Sequence, residues 1–365
     1  MKYYLVAGEK SGDIHGANLM ESILQKDSSA NFRFCGGDAM LKHSKNICIH
    51  SKNMSFMGFI EVLLNIRTIN KNIQQVKADI ENYRPDALIL IDYPGFNLRM
   101  AEFAHGLNIK VYYYISPKVW AWKANRIKKI KAWVRQLYLI LPFEEDFYAK
   151  HDYYRAKYVG NPLLDEISNF NKAKKQAIAS EKPIVALLPG SRKMEVKKIL
   201  PVMLKAARSF TDFDVMIAGV SSLPKELYDG INPEKHPIVL DNTYQLLSQS
   251  HTALVTSGTA TLETALFNVP QVVCYKAHPL TIWIAKRLVN IKFISLVNLI
   301  MDKEVVKELI QDQLNEQQLV KEFQIISEGI GREKMLAQYQ ILHQKMGEPG
   351  ASKRVAINLV SDVKA

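Results

Sequence analysis

Apolar positions in the first 160 residues gather into short runs rich in β-formers, each followed by a turn and then by a stretch at helical spacing. The runs are Tyr3 to Val6, Ala87 to Ile91, Val111 to Ile115 and Tyr138 to Leu141. Alternation of this kind predicts βαβ units and a mainly parallel sheet. A second series repeats the pattern at Ile184 to Leu188, Val215 to Ala218, Ile238 to Leu240, Ala253 to Val255 and Gln271 to Tyr275. Between the series stand Gly160-Asn161-Pro162 and the polar, lysine-rich stretch Asn169 to Lys182, which reads as a linker joined to a surface helix. From about Lys303 onward the pattern is helical. The expected architecture is α/β, with two doubly wound Rossmann-like domains at residues 1–168 and 183–340. A helical tail, 341–365, packs back on the first domain or on a second subunit.

Length agrees: 365 residues exceed what one hydrophobic core usually serves. With 48% hydrophobic and 23% charged residues, the chain is globular rather than disordered. Cys35, Cys48 and Cys274 lack any C-x-x-C spacing, which argues against zinc or redox work and suits a reducing compartment. The apolar run at the N-terminus meets Glu9 and Lys10 too soon for a secretory signal. No segment reaches the roughly 18 apolar residues of a membrane-spanning helix. A protein that touches a membrane without crossing it is the expectation. The net charge of +12 should draw anionic surfaces, whether nucleic acid, phospholipid or a phosphorylated substrate.

Open α/β sheets bind ligands at the carboxyl ends of their strands. There, Pro189-Gly190-Ser191-Arg192 runs from a strand into a helix with apolar Val196, Ile199, Leu200, Met203 and Ala207. Free N–H groups at a helix start favour an anion, and Arg192 can grip a phosphate. A tight turn in which Arg192 pairs a local carboxylate is the alternative. Ser257-Gly258-Thr259 opens a second such helix containing Glu263, whose carboxylate can accept from ribose hydroxyls or merely sit well near a helix N-terminus. Two such turns in one domain point towards a nucleotide.

In the first domain, Gly8, Gly12 and Gly16 are spaced G-x-x-x-G-x-x-x-G, which departs from the dinucleotide fingerprint and argues against a nicotinamide enzyme. Gly8, Glu9, Ser11, Gly12 and Asp13 instead form a polar cluster suited to a sugar, or a helix start capped by Ser11 or Asp13. Asp92 ends a strand, and Pro94-Gly95 then turns the chain away. That is a place for a general base, or for a helix cap.

Lys118 to Arg135 holds seven basic residues and no acidic one, interleaved with Trp120, Trp122 and Trp133. Trp120, Trp122, Lys123, Arg126, Lys128 and Lys129 suit headgroup level at a membrane, or a solvated helix face. Met57, Phe59 and Val62 belong to a second apolar segment that either buries as core or meets acyl chains. A pure nucleic-acid or membrane module would leave Asp92 and both nucleotide-type turns unused.

Taken in order, Ala7-Gly8-Glu9-Lys10-Ser11-Gly12-Asp13, Gly36-Gly37-Asp38-Ala39-Met40, Met57-Gly58-Phe59-Ile60-Glu61-Val62-Leu63, Asp92-Tyr93-Pro94-Gly95-Phe96-Asn97, Ser116-Pro117-Lys118-Val119-Trp120-Ala121-Trp122, Leu188-Pro189-Gly190-Ser191-Arg192, Ser257 to Glu263 and Ser295-Leu296-Val297-Asn298-Leu299 closely resemble the lipid A disaccharide synthase family, from the N-terminus to about residue 313. The resemblance implies a glycosyltransferase-B fold, two domains facing across a cleft, with the acceptor handled by the first and UDP by the second. It implies an inverting transfer from UDP-2,3-diacylglucosamine to 2,3-diacylglucosamine 1-phosphate, giving the disaccharide 1-phosphate and UDP. The implied place is the inner face of a Gram-negative cytoplasmic membrane, held peripherally, with a homodimer as one possible assembly. Carried over, Asp92 is the base, Arg192 lies near the donor phosphates, Glu263 at the nucleotide, and Asn298 in the active cleft. Gly95 stands where some members carry a second acid. No metal, no cofactor and no nucleic-acid partner are expected, and the rival reading is another UDP-sugar enzyme of this fold, an epimerase or a non-lipid transferase.

Overall fold

A computed structural model describes residues 1–54, 65–121, 125–173, 177–277 and 292–365. The chain divides into two units, Met1–Asp165 with Glu348–Ala365, and Glu166–Gly347.

The first unit is built on seven parallel strands in the order β3-β2-β1-β4-β5-β6-β7. They are β1 (Lys2–Ala7), β2 (Asn31–Gly36), β3 (Ile47–His50), β4 (Ala87–Ile91), β5 (Lys110–Tyr114), β6 (Gln136–Leu139) and β7 (Ala156–Tyr158). Side chains alternate between its faces. Tyr4, Val6, Leu88 and Leu90 enter one core, and Tyr3, Leu5, Ile89 and Ile91 the other. Both faces are covered, which is why the central strands β1, β4 and β5 read as apolar runs.

Buried tyrosines make this sheet unusual, and each buried hydroxyl needs a partner. Tyr4 donates to Asp79 (2.7 Å), Tyr3 to Asp27 (3.1 Å) and Tyr112 to Asp362 (2.5 Å). Asp362 lies on the final helix, Ala351–Lys364, whose Val355, Ala356, Leu359 and Val360 complete the second core. Arg135 also grips Asp362, at 2.5 and 2.7 Å, and holds its pKa down at about 2. The tail is therefore part of the first unit.

The second unit has six parallel strands in the order β10-β9-β8-β11-β12-β13: β8 (Ile184–Leu188), β9 (Asp214–Gly219), β10 (Ile238–Leu240), β11 (Ser250–Thr256), β12 (Gln271–Tyr275) and β13 (Lys307–Ile310). Its core holds Ile184, Ala186, Leu188, Met216, Ala253 and Val255.

Three expectations need correction. The first unit ends inside helix Pro162–Lys172, not at 168, and the second begins at Glu166 rather than 183. The reason is local: Asp165 accepts from the backbone N–H groups of Gly350 and Ala351, whereas Phe170 packs edge-on against Tyr244 and Phe267. The second unit also keeps the whole of helix Gly329–Met346, so the returning segment starts at Glu348 rather than 341. Finally, the chain beyond Lys303 is not helical throughout, since Lys307–Ile310 pairs with β12.

Candidate active site

Each sheet reverses direction once, between β1 and β4 and between β8 and β11, and ligands of such sheets gather at that switch point. Gly8 to Asp13 follows β1 and Asp92 follows the adjacent β4, so the fold brings the first unit's two candidate segments together. In the second unit, Gly190 to Arg192 follows β8 and Ser257 to Thr259 follows the adjacent β11.

Asp92 and Tyr93 both take left-handed backbone angles, with φ of 45° and 46°. For residues other than glycine that conformation costs about 1–2 kcal/mol each. Hydrogen bonds hold it: Asp92 N–H donates to Tyr114 O (3.1 Å), and Asp92 O accepts from Tyr113 Oη (2.5 Å) and Asn97 Nδ2 (2.8 Å). Tyr93 is fixed in turn by its hydroxyl on Met54 O (2.6 Å) and by stacking on Phe96. Its ring lies so close to the β1 turn that a Cβ on Gly8 would sit 2.3 Å from it. Helix Pro94–Gly106 takes Tyr93 as its N-cap without any side-chain hydrogen bond, so Asp92 is not its cap. Asp92 as a residue is exposed at the end of the sheet, while its carboxyl is partly screened from water. Desolvation raises its pKa, and the Lys118 ammonium and the Tyr93 N–H pull it back down. At Gly95 a Cβ would meet nothing within 4 Å, so the position has room for a side chain.

Asp13 is a correction. Its carboxylate is buried and accepts from the N–H groups of Gly37 (2.6 Å), Ala39 (2.9 Å) and Met40 (3.1 Å), so it anchors that loop rather than facing a sugar or capping its own helix. Gly12 is buried beside Ala7, while Ser11 is exposed and Glu9 half-buried at the helix start.

The basic stretch is only partly a surface. Lys128 and Lys129 are exposed on helix Arg126–Trp133, whose Ile127 and Ile130 are buried. Trp120 is half-buried, donates its indole N–H to Glu144 (3.1 Å) and packs edge-on against Phe143. Arg126 is half-buried, and desolvation lowers its pKa. Glu144 is 1% exposed, and burial pushes its carboxyl up to about 7. Met57, Phe59, Val62, Trp122 and Lys123 lie outside the described residues.

In the second unit, Gly190 has φ of +100°, which favours glycine, and a Cβ there would lie 2.4 Å from the Glu195 carboxylate. Glu195 accepts from Arg192 N–H (3.2 Å) and from its guanidinium (3.3 Å). The local pairing weighed from sequence is thus present. Arg192 is 68% exposed, however, and an exposed pair of this kind is worth about 0–1 kcal/mol, little against a bound diphosphate. Ser257 Oγ donates to Ile294 O (2.9 Å). Helix Thr259–Leu266 begins at exposed Gly258 with no side-chain cap, which leaves its first N–H groups accessible. Glu263, half-buried, is raised to about 7 by burial and by Glu166, with Tyr244 opposing.

Asn298 is the second correction. It is fully buried, and its amide is saturated: Nδ2 donates to Val306 O and Glu308 Oε1 (both 2.9 Å), and Oδ1 accepts from Val305 N (2.7 Å) and Val306 N (3.0 Å). Two donors and two lone pairs are all an amide has. Asn298 therefore builds the turn before β13 and has nothing left for a ligand. Glu308 shares that work by accepting from the N–H groups of Ile294 and Ser295. Among the described residues, no group of three or more His, Cys, Asp or Glu is placed to hold a metal ion. Nor is any described helix long and apolar enough to cross a membrane.

Residues 3–357 match the family model for lipid-A-disaccharide synthetase. The chain belongs to that family. The match runs well past residue 313, where the sequence resemblance alone gave out. It is a glycosyltransferase of lipid A formation. Lipid-A-disaccharide synthase of Coxiella burnetii (strain Dugway 5J108-111) is 35% identical over 361 residues, 96% of each chain. That of Syntrophus aciditrophicus (strain SB) is 35% identical over 373 residues, 99% of this chain and 97% of its own. Among solved structures, UDP-GlcNAc 2-epimerase from Neisseria meningitidis bound to UDP-GlcNAc has a TM-score of 0.69 at 15% identity, covering 99% of this chain and 100% of its own. The calicheamicin glycosyltransferase has 0.62 at 13%, covering 100% and 98%. At such identities these structures speak for the shared fold, that of glycosyltransferase-B enzymes and epimerases.

Proposed function

We propose that the chain joins UDP-2,3-diacylglucosamine to 2,3-diacylglucosamine 1-phosphate, giving the β-1′,6-linked disaccharide 1-phosphate and UDP. The acceptor's 6-hydroxyl oxygen bonds to the donor's anomeric carbon as the bond to the UDP oxygen breaks. Its proton passes to the Asp92 carboxylate, and the single displacement inverts the anomeric centre. The observation that most supports this is the posture of Asp92, an accessible carboxylate on a strained and heavily braced backbone at the switch point. Its raised pKa makes it a better match to a proton taken near neutral pH.

On the leaving side, the N–H groups around Gly190 and Gly258 with Arg192 take the diphosphate, and Glu263 takes the ribose. Gly8, Glu9 and Ser11 are the acceptor-side contacts that remain after Asp13 is assigned to its loop. Lys128 and Lys129 favour peripheral binding at the anionic inner face of the cytoplasmic membrane.

Purified protein given the defined acylated donor and acceptor should release UDP and yield one disaccharide 1-phosphate by mass, with a β linkage by proton coupling. Equal use of deacylated UDP-glucosamine, or an α product, would overturn the reading. Turnover is expected to survive EDTA, and loss of activity restored by a divalent ion would contradict that part.

A further inference from the structure

Glu263 does not stand alone. Tyr244 Oη lies 3.1 Å from Glu263 Oε1 and 3.2 Å from Glu166 Oε2, so a single phenol touches two carboxylates. A phenol has one proton to donate. If both carboxylates were ionised, one of the two contacts would set lone pair against lone pair. With one proton added on Glu263, both become hydrogen bonds: Glu263 donates to the phenol oxygen, and the phenol donates to Glu166. Phe170 and Phe267 pack around the Tyr244 ring and keep it in place.

We propose that Glu166 and Tyr244 position and tune Glu263, so that nucleotide binding by the second unit releases a proton. This rests on the reading that Glu263 meets the ribose. To accept from both hydroxyls of a diol the carboxylate must be ionised, so the proton has to leave Glu263 as the ribose arrives; with Glu166 kept ionised it passes to solvent rather than across the phenol. The upward displacement of the Glu263 carboxyl to about 7 agrees, with Glu166 raising it and Tyr244 lowering it. Among the described residues, no other ionisable group acts on Glu263 from the elements packed on its helix, namely β11, β12, helix Leu296–Met301 and helix Gly329–Met346. Arg332, on the last of these, is turned to His251 O instead.

Calorimetry of UDP-N-acetylglucosamine binding to the full chain, in buffers of different ionisation enthalpy from pH 6 to pH 8.5, tests this. The nucleotide sugar is chosen because its pyrophosphate is esterified at both ends and does not titrate there, whereas a terminal phosphate does, with a pKa of about 6. Absence of saturable binding at pH 8.5 overturns the nucleotide reading and the inference with it. Where binding is seen, release of about one proton is expected at pH 6, with affinity about tenfold weaker than at pH 8. Glu166→Gln should move the midpoint of that dependence down and flatten it, and Tyr244→Phe should move it up. No proton release in the unaltered chain overturns the inference alone. So does an equal weakening by both variants at every pH, the result a merely structural contact would give.

Discussion

The two units share a strand order around their switch points and use them in opposite ways. In the first, the critical backbone is non-glycine and strained: Asp92 and Tyr93 sit in left-handed conformation, clamped by Tyr113, Asn97, Tyr114 and Met54. In the second, glycine takes the unusual angle at Gly190, and Gly258 leaves a helix start open. The difference fits the two tasks proposed for these turns. Removing a proton requires one oxygen held at one place, so rigidity is worth local strain. Holding a diphosphate requires several accessible N–H groups and an exposed cation, so openness is worth more than bracing.

Asp92→Asn cuts deepest into this comparison. It keeps the shape of the braced turn and removes the proton acceptor, so turnover should fall on the order of 10²-fold or more while UDP affinity stays unchanged. Stopped assays with parallel UDP titration decide it, and near-normal turnover would remove Asp92 from the base role. Next in size is Asn298→Ala, which strips partners from Val305, Val306 and Glu308 in a fully buried turn. Stability should drop by about 2–3 kcal/mol in denaturant titration. The folded fraction should bind UDP as before, because Asn298 has no free hydrogen-bonding capacity. A selective loss of UDP affinity at unchanged stability would restore Asn298 to the ligand site.

Much of this was legible in the chain. Nine of the strands announce themselves as apolar runs, all but the edge strand Ile238–Leu240 because parallel strands covered on both faces carry them, and the turns that follow mark the switch points. Asn31–Gly36 escaped because Arg33 interrupts it, Ile47–His50 because it is short, and Lys307–Ile310 because charged Lys307 and Glu308 look like an exposed helix. Glu308 is instead buried as an acceptor for two N–H groups and an amide. At the site, Asp92 could be placed from its strand end alone. Its support could not be, although Asn97 gave a sign: it shares a helical stripe with Ala101 and Ala104, a polar residue where core is expected. Asp13 and Asn298 misled for one physical reason. A carboxylate or amide satisfied by backbone N–H groups of another segment, as Asp13 is by the loop at 37–40 and Asn298 by Val305 and Val306, has the same local sequence as one facing a ligand. The partner of Trp120 could not be read from the sequence either, since Glu144 lies 24 residues away.

Arg192→Ala sharpens the contrast from the binding side. Its contact with Glu195 is exposed, so stability should change by less than about 0.5 kcal/mol. Donor affinity should weaken about tenfold, the loss of one charge-assisted phosphate contact. Calorimetry with UDP beside a thermal melt separates the two. If stability fell and affinity held, the guanidinium would belong to the turn rather than to the ligand.

The smallest effect on the fold, and the cleanest on the site, is expected from Gly258→Ala set against Gly190→Ala. At Gly190 the backbone angle and the nearby Glu195 both resist a Cβ, so alanine should cost stability, about 1–2 kcal/mol, and disturb binding through the distorted turn. At Gly258, φ is 163°, an extended conformation open to any residue, and a Cβ would meet nothing within 4 Å. Alanine there should leave the melt within about 0.5 kcal/mol of the parent. Whatever UDP affinity it removes must then come from space that the ligand itself occupies beside the helix start, and a several-fold loss is the expected reading. Unchanged affinity would move the diphosphate away from helix Thr259–Leu266 and leave the Gly190 turn to hold it alone.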